Sequence, residues 1–267
     1  MNGRDRRRSV PVKQPIGIKK KHELERRPAV LRIGDTIVSL APGAEVTLSR
    51  QPQVDICFVF DTTGSMSNKI EGLIRCMTGF VDELANLSLD WRTTCVPFGD
   101  LTVPGDRVEA QLPFVGNTRQ AKEQLRGMPR FSGGGNLGES SIDAMHAGLA
   151  KPWRPNAVRV VILLTDEPAL QPANAGEIDV ALDAANAICF VGATQDQYYK
   201  AWATNHGGRW VEIRPHMDTA SIVKLLRSLV TDVGRVAHEV YAIAKGSVKD
   251  YLRLPVEKRK ALGMGKP

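Results

Sequence analysis

The sequence predicts an α/β domain: a doubly wound, mostly parallel six-stranded sheet with helices on both faces, an N-terminal hairpin ahead of it and a long C-terminal helix behind it. Three observations carry that expectation. Short apolar runs such as Val54–Phe60 and Val158–Thr165, each interrupted by one charged residue near its start, have the largely apolar character of strands buried on both faces. Between the runs lie segments with apolar residues at helical spacing, and strands alternating with helices imply a parallel sheet covered on both sides. Two of the runs end abruptly in acidic residues, Asp61 and near-adjacent Asp166, at the strand ends where open α/β sheets bind ligands.

Residues 1–28 are polar and basic, with Pro11, Pro15 and Pro28 and no periodicity, and are expected to be a disordered tail. They hold ten Lys and Arg against three acids, so they account for the whole formal net charge of +7 and the body is balanced. Such a tail is either a solvated extension or an electrostatic arm for nucleic acid, an anionic membrane or an acidic partner; no aromatic residue interleaves it. In residues 29–50, Val30–Ser39 and Ala44–Leu48 alternate apolar and polar around Ala41–Pro42–Gly43 and read as a hairpin.

The main domain is placed at residues 54–231. Its first strand is Val54–Phe60, and a helix follows from Met66 to Leu87, with Ile70, Leu73, Ile74, Met77, Val81 and Leu84 on one stripe. Trp91–Phe98 is a strand ending in Gly99–Asp100, and Val108–Phe114 reads as a short edge strand. Asn117 caps a helix to Met128. After a glycine-rich loop come a helix at Ser141–Leu149, the strand Val158–Thr165, a helix at Ile178–Asn186, a strand at Ala187–Val191, a helix at Gln197–Asn205 and a last strand at Gly208–Ile213. The final helix starts near Asp218 and keeps one apolar face through Ile222, Leu225, Leu226, Leu229, Val233, Val236, Ala237 and Val240, which suits either core packing or docking. Residues 232–267 are read as a helical extension with a basic end.

Composition narrows the function classes. With 267 residues and 42% hydrophobic content the chain supports one sizeable core plus extensions. Cys57, Cys76, Cys95 and Cys189 lie in apolar stretches without Cys-x-x-Cys spacing, as buried free thiols in a reducing compartment do. The charged N-terminus is followed by no apolar signal core, and no run reaches membrane-span length, so the expectation is a soluble cytoplasmic protein. The five histidines are dispersed and form no zinc motif; P-loop, dinucleotide and Gly-x-Ser-x-Gly signatures are absent.

The chemistry concentrates in three loops. Asp61, Thr63 and Ser65 sit at alternate positions after the first strand, so their side chains point to one side. A carboxylate and two hydroxyls make a hard, oxygen-only pocket suited to a small cation such as Mg²⁺, and Gly64 lets the loop turn between them. The second loop is the glycine-rich Phe131–Ser140 with Asn136, and the third presents Asp166 after the most apolar strand. The plain alternatives are polar turns for Asp61–Ser65 and Asn136 and a cap or turn for Asp166. Asp100 is read as a surface turn or as orienting a metal-bound water, Glu139 as a cap of the following helix, and Glu167 as a rim residue.

The run Asp61–Thr62–Thr63–Gly64–Ser65–Met66 resembles the metal-ion-dependent adhesion site of von Willebrand factor A domains, whose first motif is Asp-x-Ser-x-Ser; Thr63 keeps the hydroxyl of the first Ser. The resemblance covers roughly Val54 to Thr231 and points to a subgroup with Asp-Thr-Thr-Gly-Ser-Met, bacterial and intracellular, with a Rossmann-like fold. That subgroup often shows Gly-Gly-Gly-Asp-x-Pro-Glu in the second loop, where this chain has Asn136 for the Asp and Gly138 for the Pro. It implies that Asp61, Thr63, Ser65, Asn136 and Asp166 hold Mg²⁺, or Mn²⁺ or Ca²⁺, directly or through water, and that an Asp or Glu of a protein partner completes the octahedron. Asn at position 136 weakens such a site and leaves the ion more electrophilic. The implied function is a non-enzymatic adaptor beside an AAA+ ATPase, a kinase or a phosphatase. Two other readings stay open: a Mg²⁺-dependent phosphoesterase-like enzyme, against which Thr63 stands where aspartyl-phosphate hydrolases carry a second Asp, and a nucleic-acid-binding scaffold led by residues 1–28.

Overall fold

The computed structural model describes residues 30–33, 36–39, 51–86, 89–134, 138–214, 217–244 and 247–254. The basic tail at 1–28, the segment Ala44–Leu48, Asn136 and the chain end at 255–267 lie outside the described residues. The chain divides into two units, residues 1–49 and 50–267. In the first, β1 (Val30–Ile33) and β2 (Thr36–Ser39) pair antiparallel, so both strands fall within the run Val30–Ser39 that was expected to form one arm of the hairpin.

The second unit is an α/β layer structure. Its strands are β3 (Gln53–Asp61), β4 (Asp90–Phe98), β5 (Val158–Leu164), β6 (Ala187–Ala193) and β7 (Trp210–Glu212), all parallel, in the order β4-β3-β5-β6-β7. The period of two along β3 sorts its side chains. Val54, Ile56, Phe58 and Phe60 join the core on one face, and Cys57 and Val59 join the core on the other. The first face is covered by α1 (Ser67–Asn86), α2 (Thr118–Arg126), α6 (Thr219–Ala244) and α7 (Val248–Leu252). The second is covered by α3 (Ser141–Leu149), α4 (Ala175–Ala185) and α5 (Gln197–Asn205). With Ile222, Leu229, Val233, Val236, Ala237 and Val240 buried, the apolar face of α6 belongs to the core.

The sheet has five strands rather than the expected six. The segment Val108–Phe114 forms no ladder with β4: isolated antiparallel bridges join Phe98 to Val108 and, just past the segment, Thr93 to Val115. Prolines explain the failure: Pro97 of β4 and Pro113 of the segment each lack the N–H that a ladder needs. The carbonyls in between are taken by side chains instead, Leu112 by the Thr94 hydroxyl at 2.8 Å and Ala110 and Leu112 by the Lys151 ammonium at 2.6 and 2.7 Å. At the other end of the chain, α7 forms where only a tail was expected. Ser247 caps it, accepting from the Asp250 N–H at 3.2 Å, and Val248 and Tyr251 are buried.

Sheet order decides where a site can lie. From β3 the chain goes to the β4 side, then crosses back to β5 on the opposite side, so the carboxyl ends of β3 and β5 flank the point where winding reverses. Asp61 is the last residue of β3, and Asp166 follows β5 by two residues.

Candidate metal centre

The doubly buried strand β3 carries Asp61 into the interior, where the residue is 0% exposed. After it the chain turns through a short 3-10 segment, Gly64–Met66, before α1 begins. The turn brings Thr63 back onto Asp61: Oδ1 accepts from the Thr63 N–H at 3.0 Å and from its hydroxyl at 2.6 Å, while Oδ2 accepts from the Thr165 hydroxyl at 2.7 Å. The Thr63 and Ser65 hydroxyls lie 3.2 Å apart, and Ser65 donates to Asp166 Oδ1 at 2.8 Å. Asp61, Thr63, Ser65 and Asp166 thus form a continuous arc of side-chain oxygens from loops more than a hundred residues apart. Thr63 is buried and Ser65 is exposed, so the arc opens to solvent at the Ser65 end.

The charges along the arc are handled differently. The second oxygen of Asp166 is paired with the Lys69 ammonium, a group only 2% exposed that also donates to the Ser65 carbonyl at 3.0 Å. Asp61 has only hydroxyl and amide partners among the described residues. Burial pushes its carboxyl up to about 6 despite the bonds from Thr63 and Thr165, and the nearby Asp166 adds to the rise. Burial also raises Glu167 at the rim, again with Asp166 contributing.

The surroundings hold the three loops in register. The glycine-rich loop is tied to the first by bonds from the Phe131 N–H to the Thr62 carbonyl at 3.0 Å and from the Gly64 N–H to the Ser132 carbonyl at 3.3 Å. Asp106 anchors it from the other side, accepting from the N–H groups of Asp100, Ser132 and Gly133 at 3.2, 3.0 and 2.9 Å. Gly99 is required there, since a Cβ would lie 2.6 Å from the Asp106 carboxylate and from Phe131. The loop after β5 is pinned by α5: Tyr198 accepts from the Ala169 N–H at 2.8 Å, and Tyr199 bonds Ser141 at 2.8 Å and the Glu167 carbonyl at 3.2 Å.

Of the residues singled out in the sequence, Asp61, Thr63, Ser65 and Asp166 converge, and Asn136 lies outside the described residues. Asp100 is buried rather than in a surface turn; its Oδ1 accepts from the Thr102 N–H and hydroxyl, and its Oδ2 has no hydrogen-bond partner among the described residues. Glu139 does not cap α3. Its carboxyl lies against Thr63 and Gly133, 4% exposed, with Oε2 unpartnered among the described residues; burial, then Asp61 and Asp100, push it up to about 8. Sequence reasoning passed over Lys69, Thr165 and Asp106. Lys69 had one visible signal: it precedes Ile70 on the apolar side of α1, where an exposed lysine would not sit.

These residues fit a divalent cation. The donors are hard oxygens, and the buried Asp61 carboxylate has no cationic partner among those described, which is the environment a metal ion relieves. Among the described residues no three His, Cys, Asp or Glu side chains form a metal cluster by themselves, so the hydroxyls of Thr63 and Ser65 are integral to the donor set.

Comparison with known proteins bears on the fold and the family. A structural search matches proximal thread matrix protein 1 of the mussel byssus in two structures, at 16% and 17% identity and a TM-score of 0.52 in each. One of those structures is described with a zinc-occupied MIDAS motif. Each match takes in 69% of this chain and 46% of the mussel protein, so the chain spans less than half of that relative, and at this identity the likeness is one of fold. A search of curated proteins gives no match. The sequence model of the von Willebrand factor type A domain matches residues 55–201, more than half of the chain. The chain belongs to the von Willebrand factor type A domain family.

Proposed function

We propose that this domain binds a protein partner through a divalent ion held by Asp61, Thr63, Ser65 and Asp166, with a carboxylate of the partner completing the coordination. Domains of this family typically serve as metal-dependent interaction modules. The observation that carries the reading is the oxygen arc itself, buried at an Asp61 that has no cationic partner among the described residues and open at Ser65. Bound there, a Mg²⁺, Mn²⁺ or Ca²⁺ ion supplies an electrophilic position that prefers a hard anionic oxygen. We read the site as binding rather than catalytic because both carboxylates are committed. Asp61 accepts from three donors, and Asp166 is engaged by Ser65 and Lys69, so neither is free to act as a general base. An adaptor role inside the cell, beside an AAA+ ATPase, a kinase or a phosphatase, is the finer form of the proposal and rests on the sequence resemblance. No described helix is long and apolar enough to cross a membrane.

The test has two arms. Calorimetric titration with Mg²⁺ and Mn²⁺ should show a single site that Asp61→Asn removes. A protein partner recovered in Mg²⁺ should be lost in chelator and with Asp61→Asn. A partner retained under both conditions refutes metal-mediated recognition.

A further inference from the structure

The second loop is where this chain departs from its relatives' pattern, since the neutral Asn136 stands at the expected carboxylate position. The departure matters more here than the sequence alone suggests. Two aspartates line the arc, but Lys69 pairs with Asp166, so Asp61, Asp166 and Lys69 together carry one negative charge. A dication placed in that arc would be undercompensated at its buried Asp61 end, where charge imbalance is expensive.

Another carboxyl stands next to the arc. Glu139 is fixed by its backbone between the loops: its N–H donates to the Pro168 carbonyl at 2.9 Å, and its carbonyl accepts from the Leu170 N–H at 2.9 Å. Both partners belong to the segment that follows Asp166. Its side chain points the other way, to the first loop. A Cβ at Gly133, whose φ is +74°, would lie 3.0 Å from Glu139 Oε1 and 3.0 Å from the Thr63 Cβ, so these two side chains close over the same point. Oε2 is buried and has no hydrogen-bond partner among the described residues, an arrangement that costs free energy unless something else meets the oxygen. A capping role would account for neither fact, because Ser140 occupies the N-cap of α3.

We propose that Glu139 is the second-loop carboxylate of this centre, balancing the ion's charge from behind Thr63 in place of the aspartate that Asn136 replaces. The inference rests on the metal-binding reading above. Glu139 is a positioning residue: it acts across Thr63, since among the described residues Asp61, Asp166 and Glu139 do not gather into one cluster of ligands. Lys69 and Glu139 then form a compensating pair, the lysine cancelling one carboxylate of the arc and the glutamate restoring it.

Charge and shape are separated by an isosteric change. Mg²⁺ titrated calorimetrically and Mn²⁺ followed by its spin-resonance signal should bind Glu139→Gln at least about tenfold more weakly than wild type, the loss expected when an outer partner of a metal ligand is removed. The metal-free melting temperature of Glu139→Gln should stay at or above that of wild type, because a buried unpartnered acid is removed. Adding Lys69→Met, with Lys69→Gln in parallel as a polar alternative, should restore most of the lost affinity, because it frees the charge of Asp166. A purely structural glutamate would show no such rescue. Asn136→Ala should bind within about twofold of wild type, well inside the tenfold window. Glu139→Gln binding within twofold of wild type while Asp61→Asn abolishes binding overturns the proposal and leaves the metal centre standing. So does a weakened Glu139→Gln that neither lysine change rescues. Binding that survives Asp61→Asn overturns the metal centre itself.

Discussion

Strand β3 carries two fully buried aspartates, Asp55 near its start and Asp61 at its end, on the same face of the sheet. Their surroundings are opposites. Asp55 is bracketed by two guanidinium groups: Arg92 Nε donates to Oδ1 at 3.0 Å and its Nη2 pairs with Oδ2, while Arg154 donates from Nε at 2.8 Å and from its backbone N–H at 2.8 Å. Arg154 also reaches Asp90 at 2.7 Å, so the amino end of the sheet is a closed ionic network. Asp61 receives only hydroxyls and an amide. The same residue type on the same strand is neutralised internally at one end and, among the described residues, meets no cation at the other. On the proposed function, that is the difference between a charge that serves the fold and one kept for binding.

The comparison breaks most visibly if the two aspartates respond alike to mutation. Asp55→Ala should destabilise the protein by about 3–5 kcal/mol, because two half-buried arginines lose their partner. For a domain of this size that lowers the melting temperature by roughly 10 °C, with or without Mg²⁺. Asp61→Asn should do the reverse: metal-free stability holds or rises, and Mg²⁺ affinity falls by at least about a hundredfold, the loss of a direct charged ligand. Thermal unfolding of both variants in chelator and in Mg²⁺ decides this. Equal losses of stability in chelator would show Asp61 to be structural. A smaller effect sharpens the point: Thr63→Val keeps the shape but removes the hydroxyl that links Asp61 to Ser65, and should weaken Mg²⁺ binding about tenfold while Thr63→Ser holds it, on the scale of one lost hydrogen-bonding ligand.

The binding end was largely legible in the sequence, and the structural end was not. Asp61, Thr63, Ser65 and Asp166 announce themselves because a doubly buried strand switches in one step to oxygen-bearing residues, and position after a strand fixes where they must lie. Asp55 sits inside an apolar run, and its arginines come from positions 37 and 99 residues away, so only the folded register reveals the network. Lys69 and Asp106 were missed for the same reason. A pattern reading sends lysine to solvent and treats Pro104–Gly105–Asp106 as a turn, and neither rule sees a long-range acceptor. The sixth strand, expected at the sheet edge over Val108–Phe114, failed because a ladder there needs N–H groups that Pro97 and Pro113 lack. The start of α7 was readable from Ser247 and Asp250, a capping pair with no long apolar run behind it to draw attention.

The smallest expected effect is the pH dependence of the two ends, and it has opposite signs. In chelator, Asp61 is raised to about 6 in the folded protein against 3.8 for the free side chain. Below about pH 4 it is protonated in both states and contributes nothing. Between there and about pH 6 the folded state keeps a proton that the unfolded chain has released, so stability falls as pH rises, by at most about 1.4 kcal/mol per pH unit. Above that window the cost is constant. Asp90 at the other end behaves inversely: burial would raise its carboxyl, but the bonds from Arg154 and Gln53 outweigh it and hold it below the usual value, so its contribution is lost as pH falls. Urea unfolding of wild type minus Asp61→Asn isolates the first slope. It should be negative from pH 4 to 6 in chelator and vanish in saturating Mg²⁺, because an ion that binds the carboxylate holds it charged in the folded state as well. A slope that persists unchanged in Mg²⁺ would place the cation somewhere other than Asp61.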